Sequence, residues 1–511
     1  MSEQSQTRPP VRPITPLPLG LAVLFAGVGG YLMSVAFPGA AIWPAAFGAI
    51  ALVLMALRGR RLGSALLVGL VYGAVLYFFL VSWTARYLGP LPWVALATLQ
   101  AVLLAVAFLL IALAYRWVPR AWPRGRLVGL PVLVGALWTV QELFLGNWPY
   151  GGFPWARVGM TQSESPLAHL TSWIGVSGLS FMMVTAVALL IELIATGSWR
   201  RPTRAILPAA TILVLFLTPL FPTTAAGEIR IGAVQGNGTT GYFDEREPYG
   251  VIAAQTDATK PILGDDLDLI VWPEGGVDYD PFQDEFTARK LTRVVSQADA
   301  PLLANTATER TDGIFNTSFL WTEDGTATQL HDKRHPVPFG EYVPDRAFFN
   351  ALAPDLIGLI QREYTAGSNP PIVDVDGVGV GLAICFDVIY DEVIRESILA
   401  GAEVLVFQTN NADFRGTDEN LQQLAFARMR AIETGRSVVN VSTVGTSQII
   451  RPDGSTVASL DADEAGALVE DIDLRSGLTA GVVLGPWIQQ LLLWGALAGL
   501  AAAGLIARRR R

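Results

Sequence analysis

The sequence predicts an α-helical membrane domain of about seven helices, one layered α/β domain, and a single closing membrane helix. Three observations carry this. First, 51% of the 511 residues are hydrophobic, too many for an ordinary soluble chain, and the excess is confined to residues 17 to about 221 and about 482–507. Second, residues 228–478 have ordinary charge content and short apolar runs that alternate with helical patterns. Third, arginines gather at every second loop of the apolar part.

A bilayer core needs about 20 apolar residues per helix. Candidate spans are 17–36, 40–57, 64–83, 91–115, 127–146, 169–196 and 205–221, then 482–507, with Pro38-Gly39, Gly89-Pro90, Pro123 and Pro202 marking connections. Sixteen arginines fall on one side: Arg8 and Arg12, then Arg58, Arg60 and Arg61, then Arg116, Arg120, Arg124 and Arg126, then Arg200, Arg201 and Arg204, and the closing Arg508 to Arg511. The alternate loops carry only Arg86 and Arg157. Positive charge stays in the cytoplasm, so both termini are expected there and residues 228–478 outside. The expected organisation is a cytoplasmic tail 1–16, a membrane domain 17–227, an extracytoplasmic domain 228–478, a transmembrane helix 482–507 and a basic tail 508–511. The first span lacks a small-residue cleavage site and reads as an anchor.

Composition also excludes. The net charge of −9 says little, because the acids cluster in the middle and the arginines at the membrane, but the absence of a basic patch interleaved with aromatics argues against nucleic-acid binding. The three histidines, His169, His331 and His335, are too scattered for a zinc site. "GVGVG" lacks dinucleotide-binding spacing, and there is neither a P-loop nor a G-x-S-x-G elbow. No cofactor is expected.

Within 228–478, "EIRIGAVQGN", "DLDLIVWPEGG", "PLLANTATE", "FNTSFLWT", "GVGVGLAIC", "EVLVFQTNN", "SVVNVST" and "SQIIRPDG" read as strands. Stretches near 245–260 and 285–299, "YDEVIRESILAGA" and "NLQQLAFARMRAIETG" read as helices. Cys385, the only cysteine, ends an apolar run in "GLAICFDVIYDE". Alone it reads as a small buried hydrophobe, Glu274 in "VWPEGG" as a turn acid, and Lys333 in "LHDKRHPVPFGEYVP" as a surface cation. Together they form a chemically coherent set. A carboxylate can take a thiol's proton, and an ammonium can hold a thiolate and a developing oxyanion, with the Phe386 N–H as a second donor.

This set resembles that of the carbon–nitrogen hydrolase (nitrilase) superfamily, which implies an αββα sandwich over residues 228–478. "GFPWARVGMTQSESPLAHL" followed by "GVSGLSFMM", the "VQGN" opening, "HPVPFGEYVP" and "ARMRAIETGR" extend the resemblance over nearly the whole chain, to the apolipoprotein N-acyltransferase family. The resemblance implies a ping-pong acyl transfer. A phospholipid acylates Cys385, and the thioester passes the chain to the amine of the diacylglyceryl-modified cysteine of an apolipoprotein. It implies Glu274 as base, Lys333 as oxyanion stabiliser, Cys385 as nucleophile and Glu341 as a supporting acid. Asn316, Asn410 and Arg430 fall in family motifs.

The chain departs from the family pattern at Phe386-Asp387, where Tyr-Glu is usual, and at "TNNADFRG", where Asp413 replaces an aromatic; Phe243 stands for a tryptophan. These changes resemble an actinobacterial branch and imply a polyprenol-phosphate mannose synthase as a possible partner. Two further readings stay open: a membrane-tethered amidase, in which water takes the acyl group, and a non-catalytic scaffold docking such a synthase. Loop 147–166, rich in Trp, Pro and Gly, reads either as interfacial anchors or as the wall of an entrance. The apolar stretch 346–364 reads either as packed core or as a mobile arm admitting lipid.

Overall fold

The computed structural model describes residues 14–200 and 202–510. Arg8, Arg12, Arg201, Arg511 and most of the expected tail 1–16 lie outside them. Five helical segments are long and apolar enough to cross a membrane: Leu19–Ala36, Leu62–Leu80, Pro90–Ala121, Pro166–Ala195 and Ala480–Arg509. Ala45–Leu57, Gly129–Leu145 and Pro202–Leu217 also form helices where spans are predicted, with 13, 17 and 16 residues. At about 1.5 Å per residue these reach less than the ~30 Å hydrocarbon core.

The bundle packs through small residues, the expected device where lipid removes the hydrophobic drive between helices. A Cβ on Gly69 or Gly73 would lie 2.8 Å from the Cα of Ala105 or 2.9 Å from that of Ala101. Either substitution would therefore push helices Leu62–Leu80 and Pro90–Ala121 apart.

One end of the bundle is an arginine end. Buried Glu192 accepts from Arg58 at 2.7 Å and Arg126 at 2.9 Å. Arg60 donates to the Leu17 carbonyl, and Arg510 to that of Arg120. The charged loops and the start of the first helix thus meet on one side, as the alternation of arginines predicts.

The α/β domain sits at the opposite end. Two six-stranded sheets face each other, in the orders β12-β1-β2-β3-β4-β5 and β11-β10-β9-β8-β7-β6. The first holds β1 (Thr224–Gln235), β2 (Leu269–Val271), β3 (Leu302–Arg310), β4 (Gly313–Trp321), β5 (Ala327–Asp332) and β12 (Gly466–Ser476). The second holds β6 (Ile372–Val375), β7 (Val378–Ile384), β8 (Val404–Thr409), β9 (Val438–Ser442), β10 (Ser447–Ile450) and β11 (Thr456–Leu460). Ile231, Val271, Leu303, Leu382, Val406 and Val439 fill the space between the sheets. Helices Gly250–Thr259 and Glu285–Ala298 cover the first sheet's outer face. Helices Asp391–Leu399 and Glu419–Thr434 cover the second and share one apolar core with the bundle. This is the layered αββα plan. Strands β5, β6, β11 and β12 join those read from sequence.

The seam between the two parts also carries a paired polar cluster. Arg157 grips Asp391 with two bonds of 2.6 and 3.0 Å, Arg430 reaches the same carboxylate at 2.8 Å, and Gln489 donates to it at 2.9 Å. Burial raises the Asp391 pKa, but the two guanidiniums outweigh it and hold the carboxyl well below its usual range. A bidentate, charge-assisted fork of this kind fixes orientation as well as distance.

Candidate active site

Glu274, Lys333 and Cys385 lie just beyond the ends of β2, β5 and β7. Lys333 is 1% exposed, and its Nζ is 3.0 Å from both Glu274 and Glu341. Burial alone would lower the ammonium's pKa; Glu274 and Glu341, helped by Cys385 and Asp387, hold it well above the usual lysine value. Lys333 therefore stays charged in a site that excludes most water.

Asn316 bridges the carboxylates, donating from Nδ2 to Glu274 at 2.7 Å and to Glu341 at 3.2 Å. Its orientation follows from an unambiguous donor. The Gly275 N–H points at Asn305 Oδ1, which turns Asn305 Nδ2 toward Asn316 Oδ1 at 2.9 Å and leaves Asn316 Nδ2 for the acids. The other Glu341 oxygen accepts the Val337 N–H at 2.7 Å.

Cys385 opens a short 3-10 turn, Cys385–Ile389, with φ at +49°. A left-handed conformation at a side chain with a Cβ is strained and persists where the surroundings impose it. The Phe386 N–H falls in the first turn, where no intrahelical acceptor is available. Asp387, two residues on, is fully buried and accepts the Arg334 N–H at 3.1 Å and the His335 N–H at 2.8 Å. It ties the turn of Cys385 to the segment of Lys333, a task its shorter carboxylate performs without a Glu. Burial pushes the thiol pKa well up and Glu274 adds to this, while Lys333 and a bond from Gln423 oppose it. The net shift favours the thiol over the thiolate.

The remaining predicted residues lie around this centre rather than in it. Phe386 stacks near Phe153 and Trp155 of loop 147–166. Trp155, 1% exposed, packs on Trp83 and Phe426, so this loop forms a wall of the site. Trp148 and Tyr150 near its start are exposed, as are Glu164 and Pro166 near its end. Asn410 accepts from Thr443 at 2.9 Å and from the Ala412 N–H at 3.0 Å, and its amide borders Gly275. Asp413 accepts the Tyr242 N–H at 2.7 Å. Arg430 is remote in function: fully buried, it binds the Val388 and Ile389 carbonyls and the acids Asp391 and Glu433. It shapes the connection after Cys385 and the seam with the bundle.

Stretch 346–364 divides its two readings. Pro354 breaks it into the short helices Arg346–Leu352 and Pro354–Ile357. Ile357 and Ile360 pack with Val343 and against Leu88, whereas Phe348 and Leu352 are 65% and 71% exposed.

Sequence reasoning missed Asn305, Asn411, Glu419 and Gln423. The available signal was polar residues inside otherwise apolar buried runs, as in "LLANTAT" and "NLQQLAFA". Among the described residues no group of three or more His, Cys, Asp or Glu could hold a metal ion.

Two family models match the chain: the apolipoprotein N-acyltransferase N-terminal domain at residues 29–189, and carbon–nitrogen hydrolase at residues 230–477. The apolipoprotein N-acyltransferase of Mycolicibacterium smegmatis is 29% identical over 94% of this chain and 85% of its own length. That of Azotobacter vinelandii is 30% identical over 89% of this chain and 90% of its own. That of Shewanella oneidensis is 29% identical over 83% of this chain and 82% of its own. With both halves matched and the relatives covered nearly end to end, the chain belongs to the apolipoprotein N-acyltransferase family.

Proposed function

We propose that the protein N-acylates the diacylglyceryl-modified N-terminal cysteine of apolipoproteins, taking the chain from a phospholipid through a thioester on Cys385. The observation that carries this is Lys333 Nζ lodged 3.0 Å from both Glu274 and Glu341, at strand ends that also carry Cys385. In the first half-reaction Glu274 takes the thiol proton and sulfur attacks the ester carbonyl. Lys333 and the Phe386 N–H hold the oxyanion. The C–O bond breaks, and the lysophospholipid oxygen leaves with the proton from Glu274. In the second, the acceptor amine attacks the thioester carbonyl and gives a proton to Glu274. The C–S bond breaks, and the sulfur recovers that proton. Glu341 and Asn316 keep Lys333 and Glu274 in register, and Asn410 lines the approach. Two substrates that never need to occupy the site together suit a covalent relay.

The exposed Phe348 and Leu352 suit a surface that touches the bilayer and admits lipid. The arginine end of the bundle, opposite the α/β domain, supports a cytoplasmic face there and an extracytoplasmic catalytic domain. A reporter fused after about residue 225 is expected to be active only outside the cytoplasm; cytoplasmic activity would refute this topology.

The test of function is to give the purified enzyme phospholipid and a diacylglyceryl lipopeptide. The expected product is the N-acylated lipopeptide. Free fatty acid with unmodified lipopeptide would favour the amidase reading, and no reaction of either kind the scaffold reading.

A further inference from the structure

Helix Glu419–Thr434 lays Gln423 against the nucleophile: Nε2 lies 3.3 Å from Cys385 Sγ. This bond belongs to a chain of partners that begins at a backbone donor. The Gly445 N–H donates to Ser442 Oγ at 2.9 Å, and the Ser442 hydroxyl donates to Asn411 Oδ1 at 2.6 Å. Asn411 must then present its NH2, which reaches Gln423 Oε1 at 2.8 Å and Glu419 Oε2 at 2.7 Å. With its oxygen occupied, Gln423 can offer only N–H to the sulfur. All four side chains are buried, so water cannot replace these partners. Neighbouring Gln422 accepts the indole N–H groups of Trp83 and Trp155 at 3.2 and 2.6 Å, pinning this turn of helix to the bundle.

We propose that Gln423 is a further catalytic residue: it donates to Cys385 Sγ, aims the sulfur, and stabilises its negative charge when the thiolate forms and again when it leaves the thioester. Asn411 is the positioning residue that sets the amide. The assignment rests on the thioester reading above. Its chemistry is direct, since a hydrogen bond to a charged acceptor is stronger than one to a neutral acceptor, and a donor that favours the thiolate lowers the cost of making it.

The experiment uses the full-length protein in nanodiscs and follows iodoacetamide alkylation of its sole cysteine against pH. The charged and titratable groups facing the sulfur are Glu274, Lys333 and Glu419, with Asp387 nearby; all are retained. Gln423→Leu is expected to slow alkylation at neutral pH by roughly 10-fold and to move the profile to higher pH. Gln423→Glu keeps the shape, offers a carboxylate to the sulfur and moves the profile at least as far. It decides the matter if the leucine variant does not fold. Wild-type profiles in the folded variants would overturn the assignment. Acyl transfer by Cys385→Ala would instead overturn the thioester reading, so the two failures are distinct.

Discussion

Lys333→Met is expected to cut acyl transfer by roughly 1,000-fold, the upper part of the range for losing one oxyanion partner. On the proposed mechanism the ammonium serves twice, facing the oxyanion of thioester formation and that of thioester breakdown, so no step bypasses it. It also pairs with Glu274 and Glu341, both at 3.0 Å. Without it, these two buried acids lose the cation that holds them in place. Removing one partner of a buried ion pair also costs about 3–5 kcal/mol of stability, so the measurement pairs the transfer rate with a melting curve. Transfer within tenfold of wild type in the folded variant would remove Lys333 from the mechanism. Arginine should not rescue it, because a planar guanidinium cannot fill the ammonium's compact position between two acids.

Cys385→Ala is expected to abolish transfer altogether. The site keeps its acids, its lysine and the Phe386 N–H, but nothing is left to carry the acyl group between donor and acceptor. The fold should survive, since the substitution removes one sulfur and alanine forgoes a single bond to Gln423. The readout is N-acylated lipopeptide per enzyme, with wild type and variant matched for folded protein. Residual transfer above the uncatalysed rate would mean direct attack of the amine on the phospholipid ester.

Much of this was legible before the structure. Apolar runs mark the helices because bilayer-facing segments are uniformly apolar, and arginine alternation anticipates the gathering of Arg58, Arg126 and Arg510 at one end. Glu274, Lys333 and Cys385 were readable because each ends a recognisable strand or motif. The strands that escaped carry weaker patterns. β12, "GALVEDIDLRS", mixes charge into its alternation because it is an edge strand with one wet side. β6 has four residues, too few for a period to register. The amide relays were out of reach for a different reason: Asn305–Asn316 and Asn411–Gln423 join different elements, and no sequence spacing encodes such contacts. Arg430 shows the converse. Its motif marked it, but its partners are the Val388 and Ile389 carbonyls and the seam acids, so its importance is architectural.

The central claim is that Cys385 carries the acyl group. Purified enzyme is incubated with phospholipid and no acceptor, and the intact protein is then weighed. The account predicts a gain of one acyl chain in wild type, released by hydroxylamine and absent from Cys385→Ala. An unmodified wild-type mass under conditions where added lipopeptide is promptly acylated would contradict it.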